Sequence, residues 1–524
     1  EVTGTLELPG TSEQMLVSGD RALVVSHAPG EPTAQSDAPA PGLAPPRLVP
    51  EDVELLLVDI TGAPRVVERL RVDGGYVDAR LVGSTAQVVL RSAPQVPTVY
   101  PDGAGSEGAA REANLQALDR SEIDDWLPGY TYRSGGREEQ GRLVDCADVR
   151  HPDVYSGAAM LNVVTVDLAA GLQPVDSVSV LGDGQTVYAT GESLYIADGH
   201  QPWAADESTG TNIHKFGVGG NGSPDYRASG AVDGRLLNQY AMSEHDEVLR
   251  VATTTDDARR PADGGEAGAS QVPPSESQVV ALAERDGELE TIGRVGGLGK
   301  GERIYAVRFM GPVGYVVTFR ETDPLYTVDL SDPTDPRVVG ELKILGYSAY
   351  LHPAGGGRLI GVGQDATADG RTVGTQLSLF DVTDLAAPER VDTYGLPDSW
   401  SEVERDPHAF LYWPADGLVV VPVQRERAVE PLPAPDSGGV APERRLPPPG
   451  EALVLRLDGD RFVEVGAVRH PIPGSRPGDA GWFDATIRRS LVVGDTLWTV
   501  SAAGVLGSDV DDLSERAWVP FGGR

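Results

Sequence analysis

Cysteine is almost missing from this chain of 524 residues, where Cys146 is the only one. A lone thiol excludes an intrachain disulfide and leaves the redox compartment open. Cys146 itself reads as a small buried hydrophobe, because a reactive thiol needs a His or cationic neighbour. Lysine is nearly as scarce, with only Lys215, Lys300 and Lys343, so arginine supplies almost all the positive charge. Positive charge as a whole falls short, at 43 Lys+Arg against 79 Asp+Glu for a net charge of −36. That balance excludes a nucleic-acid or anionic-membrane partner, since both need a basic face. No apolar run approaches ~18 residues, so no transmembrane helix is expected. There is no signal peptide either, yet the chain begins abruptly in strand-like VTGTLEL, which reads as a cut start.

The usual signatures of hydrolytic and zinc chemistry are also lacking: there is no GxSxG elbow, no HExxH and no CxxC. Gly217 to Gly222, GVGGNG, fits GxGxxG by letters, but YRASGAV follows it instead of a helix, so it reads as a loop between strands. Gly299-Lys300-Gly301 lacks both the Gly five positions before Lys300 and the hydroxyl residue after it, and is not a P-loop.

What is present is a repeat. Leu325 to Ile344, LYTVDLSDPTDPRVVGELKI, reads as a strand, an Asp/Pro turn and a second strand. Weaker copies lie at Leu55 to Val72, Val163 to Val180 and Leu377 to Leu396. Aligning their surroundings gives an inner strand with large polar or aromatic residues, a Gly/Asp turn, a Val-rich strand, the LxxxD strand and an outer strand. About eight such units of roughly 45 to 55 residues fit the chain, the period of propeller blades. The fold expected is all-β, a β-propeller of about eight four-stranded blades (seven to nine), because one small sheet cannot bury its faces alone and stacked blades can.

The division expected is residues 1–92 as first blades, with a Pro-rich loop at 28–50; 93–157 as a partly helical insertion; and 158–524 as the remaining blades, with loops at 254–276 and 425–450. Within the insertion, Glu107 to Trp126 is the one convincing helical stretch, stopped by Leu127-Pro128-Gly129. It reads as a lid packed on a face or edge of the β array.

Several runs taken together, among them NIHKFGV, RLLNQYAMSEHDEVLRVATTT, GERIYAVRFMGPVGYVVTFRETDPLYTVDL and VVGDTLWTVSAAGVLGSDVDDLSERAWVPF, resemble secreted bacterial and archaeal proteins with a C-terminal β-propeller distantly related to WD40 repeats. WLPGY and LVDCADV, around Trp126 and Cys146, look like the actinobacterial branch, consistent with Ala-, Gly- and Pro-rich composition. The resemblance covers almost the whole chain. It implies the propeller fold and an extracellular or envelope-attached location, with a lipid anchor in a segment preceding Glu1, and it brings no catalytic residues.

In a propeller the first strand of each blade lines the central channel, so polar residues far apart in sequence converge there. Taking LLNQYAM, ERIYAVRF, YSAYLHP and DPHAFLYWP as inner strands places Asn238, Gln239, Glu302, Arg303, Arg308, Tyr350, His352 and His408 at one channel or its mouth as ligand-binding candidates. Channel strands are also wet and their polar groups satisfy one another, so the same residues have a structural reading, an ion pair of Glu302 with Arg303 or Arg308 included. Asp509, Asp511, Asp512 and Glu515 crowd in SDVDDLSE, and calcium is the one cofactor this suggests, although the spacing departs from an EF-hand loop and lacks its Gly. Asp329, Asp332 and Asp335 are turn formers. The function expected is a binding scaffold for a protein or glycan partner at the cell envelope. The alternatives are an enzyme with a metal- or cofactor-dependent channel site and a structural subunit of a larger extracellular assembly.

Overall fold

In LVVVPVQR apolar residues run on without the polar alternation of a one-sided sheet, which requires cover on both faces. A computed structural model supplies that cover. Strand Leu418–Arg425 sends Leu418 and Val420 into a cluster with Ala452, Val454, Leu497 and Leu506. Its alternate residues Val419, Val421 and Val423 pack with Ile360, Leu377 and Leu379. Here sheet faces sheet on both sides, each layer sealed by Val and Leu from its neighbour.

The structure describes residues 2–27, 52–101, 105–152, 155–200, 209–218, 224–255, 274–319, 323–367, 370–425, 449–472 and 484–521. The Pro-rich stretch 28–50, residues 256–273 and 426–448, and most of GVGGNG lie outside them. Thr254, Thr255, Glu276 and Arg425, placed in loops by the sequence reading, belong to strands. The chain divides into two compact units, Glu1–Gln239 with Leu282–Glu290, and Tyr240–Ala281 with Thr291–Arg524.

In the first unit, Thr11–Ser18, Arg21–His27, Val53–Asp59 and Arg65–Val72 form one antiparallel blade. The second is built from Gly75–Val82, Thr85–Ser92, Met160–Asp167 and Gly171–Leu181. The third holds Thr186–Ala189, Ser193–His200, Gly210–Gly217 and Asp225–Asp233. The segment between Ser92 and Met160 carries more than a helix. Its hairpin Gly129–Ser134 and Arg137–Arg142 extends the first sheet, pairing against Arg65–Val72.

The helix itself is shorter than expected, Glu107–Arg120. Ser121 ends it by donating both its N–H and its hydroxyl to the Leu118 carbonyl, and a capped 3-10 turn, Ile123–Asp125, takes over. Only Ala110 is buried, with Leu115 and Leu118 about half exposed at 50% and 43%, so the helix does not pack as a lid by its apolar positions. Cys146 is exposed, which corrects its reading as a buried hydrophobe: it opens a 3-10 turn, Cys146–Asp148, on the insertion's surface.

In the second unit Arg303–Met310, Val313–Phe319, Asp323–Asp329 and Arg337–Ile344 form one blade, and Tyr347–Gly355, Arg358–Ala366, Thr372–Asp381 and Glu389–Pro397 the next. Leu411–Trp413 with Ser399–Ser401, Leu418–Arg425, Glu451–Asp458 and Arg461–Val468 follow, and then Arg489–Val493, Thr496–Ser501, Gly504–Asp509 and Glu515–Pro520. The strands Met242–His245, Val248–Thr255, Glu276–Arg285 and Glu288–Leu298, of which Leu282–Glu290 falls in the first unit, make the eighth group among the described residues and share one nine-stranded sheet with the third. The repeated LxxxD segments are third and fourth strands in every case. LLNQYAM and DPHAFLYWP are not continuous inner strands: 3-10 turns Gln239–Ala241 and Pro407–Ala409 interrupt them.

Each unit contains one deeply buried histidine clasped by hydroxyls. His214 Nδ1 lies 2.6 Å from Ser229 Oγ and Nε2 lies 3.1 Å from Ser156 Oγ. His470 Nδ1 lies 2.7 Å from Ser501 Oγ and Nε2 2.8 Å from Thr499 Oγ1, with Trp518 edge-on at 5.0 Å. Burial pushes both imidazoles down to about 4. Between that value and the unfolded 6.5 the unfolded chain binds the extra proton, so stability falls as pH drops through this window, by on the order of 3 kcal/mol per histidine at its lower end. The urea midpoint is expected to decline steadily from pH 6.5 to 4.5. In His470→Gln the decline should be shallower, and an unchanged slope would remove His470 from the account.

Candidate functional site

The two blades that open with Arg303–Met310 and Tyr347–Gly355 bring their first strands side by side. Near one end, Tyr305 stacks on Tyr347 at 4.8 Å and both meet Phe319. Further along, Arg308 crosses from one strand to the other: Nε donates to the Leu351 carbonyl at 3.1 Å and Nη2 to Tyr350 Oη at 3.1 Å. The guanidinium lies over two rings, 5.0 Å from the centroid of Tyr240 and 5.6 Å from that of Tyr350, a geometry that suits its planar, weakly hydrated cation.

Tyr350 Oη, having accepted from Arg308, sits 3.0 Å from His352 Nδ1 and donates to it. The imidazole proton is then on Nε2, for which no partner exists among the described residues. Phe410 closes on both rings, 5.4 Å from Tyr350 and 4.9 Å from His352, and Tyr412 meets His352 edge-on at 5.7 Å. Burial first, and Arg308 second, push the His352 imidazole down to about 4. Burial likewise raises the Tyr350 hydroxyl to about 12, so it remains a neutral relay.

Arg308 is half-buried and meets no carboxylate within ion-pair reach among the described residues. Its Nη1 hydrogens and the His352 Nε2–H are therefore donors without acceptors, set in aromatic walls. Such a cluster can hold an anion with several oxygens, and a carboxylate matches the guanidinium's flat fork.

Of the eight candidates read from the sequence, Arg308, Tyr350 and His352 are brought together. Glu302 stands apart, accepting from Thr318 Oγ1 and, through its carbonyl, from Ser275 Oγ. Arg303 is exposed at the strand's start. His408 is exposed and turned to Asp406, whose carboxylate also binds Arg489. The ring that reaches the cluster from this segment is Phe410. Asn238 and Gln239 belong to the first unit. Tyr240, Phe410 and Tyr412 were missed, although aromatic residues next to a candidate polar strand were the available signal.

Three of the four calcium candidates have other partners. Asp509 accepts from the Asp511 N–H at 2.8 Å and pairs with Arg516, and Asp512 accepts from the Ser514 N–H at 2.9 Å. Asp511 approaches Arg456 at 3.5 Å, and Glu515 opens the last strand as an exposed residue. Among the described residues no group of three or more His, Cys, Asp or Glu side chains is gathered to hold a metal ion.

Proton NMR of the histidine rings should find His352 titrating near pH 4. In Arg308→Met its midpoint should rise while staying below the ordinary 6.5, because burial persists. A midpoint insensitive to Arg308→Met would show that the cation does not act on His352.

Comparison with known proteins places this geometry in context. An uncharacterized protein of Methanocaldococcus jannaschii, MJ1554, is 46% identical over 184 residues, 35% of this chain and 26% of that protein. An uncharacterized protein of Archaeoglobus fulgidus is 39% identical over 218 residues, 42% of this chain and 30% of that one. The chain's match thus spans less than a third of the length of these curated relatives. Among solved structures, Saccharomyces cerevisiae Sqt1 is similar at 10% identity and a TM-score of 0.39, over 71% of this chain and 83% of that chain. Chaetomium thermophilum Sqt1 bound to the N-terminus of the ribosomal protein L10 is similar at 10% identity and a TM-score of 0.39, over 76% and 85%. Likeness at that level carries no functional inference. The model of the beta propeller domain matches residues 1–513, and with nearly the whole chain inside that match, the protein belongs to the β-propeller domain family.

Proposed function

We propose that this propeller is a binding scaffold, extracellular or attached to the cell envelope, that engages a protein or glycan partner through carboxylates received at Arg308. The observation that carries the reading is the half-buried Arg308, held between Tyr240 and Tyr350 with no carboxylate partner among the described residues. A cation kept in a partly desolvated wall without a counter-charge gains most when a ligand provides one. The net charge of −36 does not prevent this, because charges beyond a Debye length of about 8 Å are largely screened at physiological salt.

The location outside the cytoplasm, the lipid anchor in a preceding segment and the actinobacterial origin rest on the sequence resemblance alone. No feature of the described residues favours the enzyme or the assembly-subunit alternative over this reading.

An oligogalacturonate and a Glu-rich peptide, each immobilised and presented to the full chain, separate the glycan from the protein source. At least one should bind, and Arg308→Glu should weaken it by about tenfold or more, the scale of a charge-assisted bond, in a variant that circular dichroism shows to be folded. Binding of neither, or binding indifferent to Arg308→Glu, rejects the proposal.

A further inference from the structure

A different part of the molecule, wholly within the first unit, holds a cavity of about 420 Å³, inside the range of roughly 300–1,000 Å³ typical of small-molecule sites. It is built on the NIHKF strand. Successive side chains of a strand alternate faces, so Asn212 and His214 share one. Their register partners on the next strand are Ala231 and Ser229, and all four line the cavity.

The two polar residues differ. His214 is satisfied, and the hydrogen bonds around it run in one direction. Tyr226 Oη donates to Ser229 Oγ at 2.8 Å, Ser229 to His214 Nδ1 at 2.6 Å, and His214 Nε2–H to Ser156 Oγ at 3.1 Å. The Ser156 hydroxyl hydrogen is left at the end of this relay, in the cavity wall. Asn212 is 7% exposed and its side-chain amide makes no hydrogen bond among the described residues. An amide has two donor hydrogens and an accepting oxygen, and buried polar groups are seldom left unmatched. The comparable clasp on His470 shows that a hydroxyl-bound histidine alone is structural. The unmatched Asn212 beside an open volume is the added feature.

Charge narrows the occupant. No Lys or Arg lines the cavity, while Glu288, exposed and without a partner among the described residues, stands at its rim next to Glu290, which is bonded to Arg285. Anions are disfavoured there. A cation would face the Asn212 and Ser156 donors. A hydroxyl group both donates and accepts, and neighbouring hydroxyls on one ring can meet an amide and a carboxylate together. We propose that this cavity binds a neutral saccharide, with Asn212 as the buried anchor and Glu288 as the rim acceptor. The proposal does not depend on Arg308, which lies in the other unit and suits the opposite ligand charge.

The test is saturation-transfer NMR and calorimetry of the full chain with glucose, galactose, mannose, N-acetylglucosamine, maltose and lactose at millimolar concentrations. At least one should give saturable binding that Asn212→Leu reduces by about tenfold or more, that Glu288→Gln weakens severalfold and that Arg308→Glu leaves unchanged. Should Asn212→Leu fail to fold by circular dichroism, the exposed Glu288→Gln decides. Absence of binding across the panel, binding untouched by Glu288→Gln, or spermidine binding in place of every sugar overturns the proposal.

Discussion

A single aspartate at the end of the third strand organises these blades. Asp59, Asp167, Asp329, Asp381 and Asp509 each accept the backbone N–H two residues on, at 2.8 to 3.0 Å. The side chain thereby imitates a backbone turn and bends the chain back where the ladder ends. In each of these five blades the third and fourth strands pair with a register shift near this turn, a β-bulge that the fixed turn leads into. In three blades a second aspartate repeats the device: Asp332 for Thr334, Asp384 for Ala386 and Asp512 for Ser514. Part of the chain's acidity is therefore turn chemistry: the hydroxyls of Ser331 and Thr383 first, and their backbone N–H groups second, hold Asp329 and Asp381 below the usual carboxylate range, as the Asp511 N–H does first for Asp509.

This accounts for how much could be read from the sequence. The LxxxD segment was legible because strand, turn and strand are local and recur. The first strands were less so, since function and broken geometry fall there: 3-10 turns interrupt two of the four segments named as inner strands. Arg308, Tyr350 and His352 were found because equivalent positions of consecutive blades converge. Phe410, and not His408, reaches the cluster because the 3-10 turn at Pro407 shifts which residues share a face, and strand alternation does not foresee that. The helix was overextended because Ser121 competes for the Leu118 carbonyl, a side-chain effect invisible to apolar spacing. Asn212 and His214 carry a signal of their own, two polar residues at strand spacing in a strand, NIHKF, whose residues are buried throughout.

The two sites use opposite chemistry on the same kind of scaffold. At Arg308 a fixed cation and a neutral imidazole present donors only. Around Asn212 donors and acceptors mix with carboxylates and no cation. Both are placed by strands whose far faces lie in packed cores, so the polar groups are held by elements that cannot easily move.

Seven of the eight groups pair strands that follow closely in sequence, so their contacts are short-range and each can form early. The second blade is the exception. Thr85–Ser92 pairs with Met160–Asp167 only after the insertion between them is looped out, and that insertion has itself added a hairpin to the blade before. Closing so long a loop costs entropy before any contact repays it, and distant pairing slows folding. The insertion thus ties two blades together, since it separates the strands of the second while its hairpin pairs with the first.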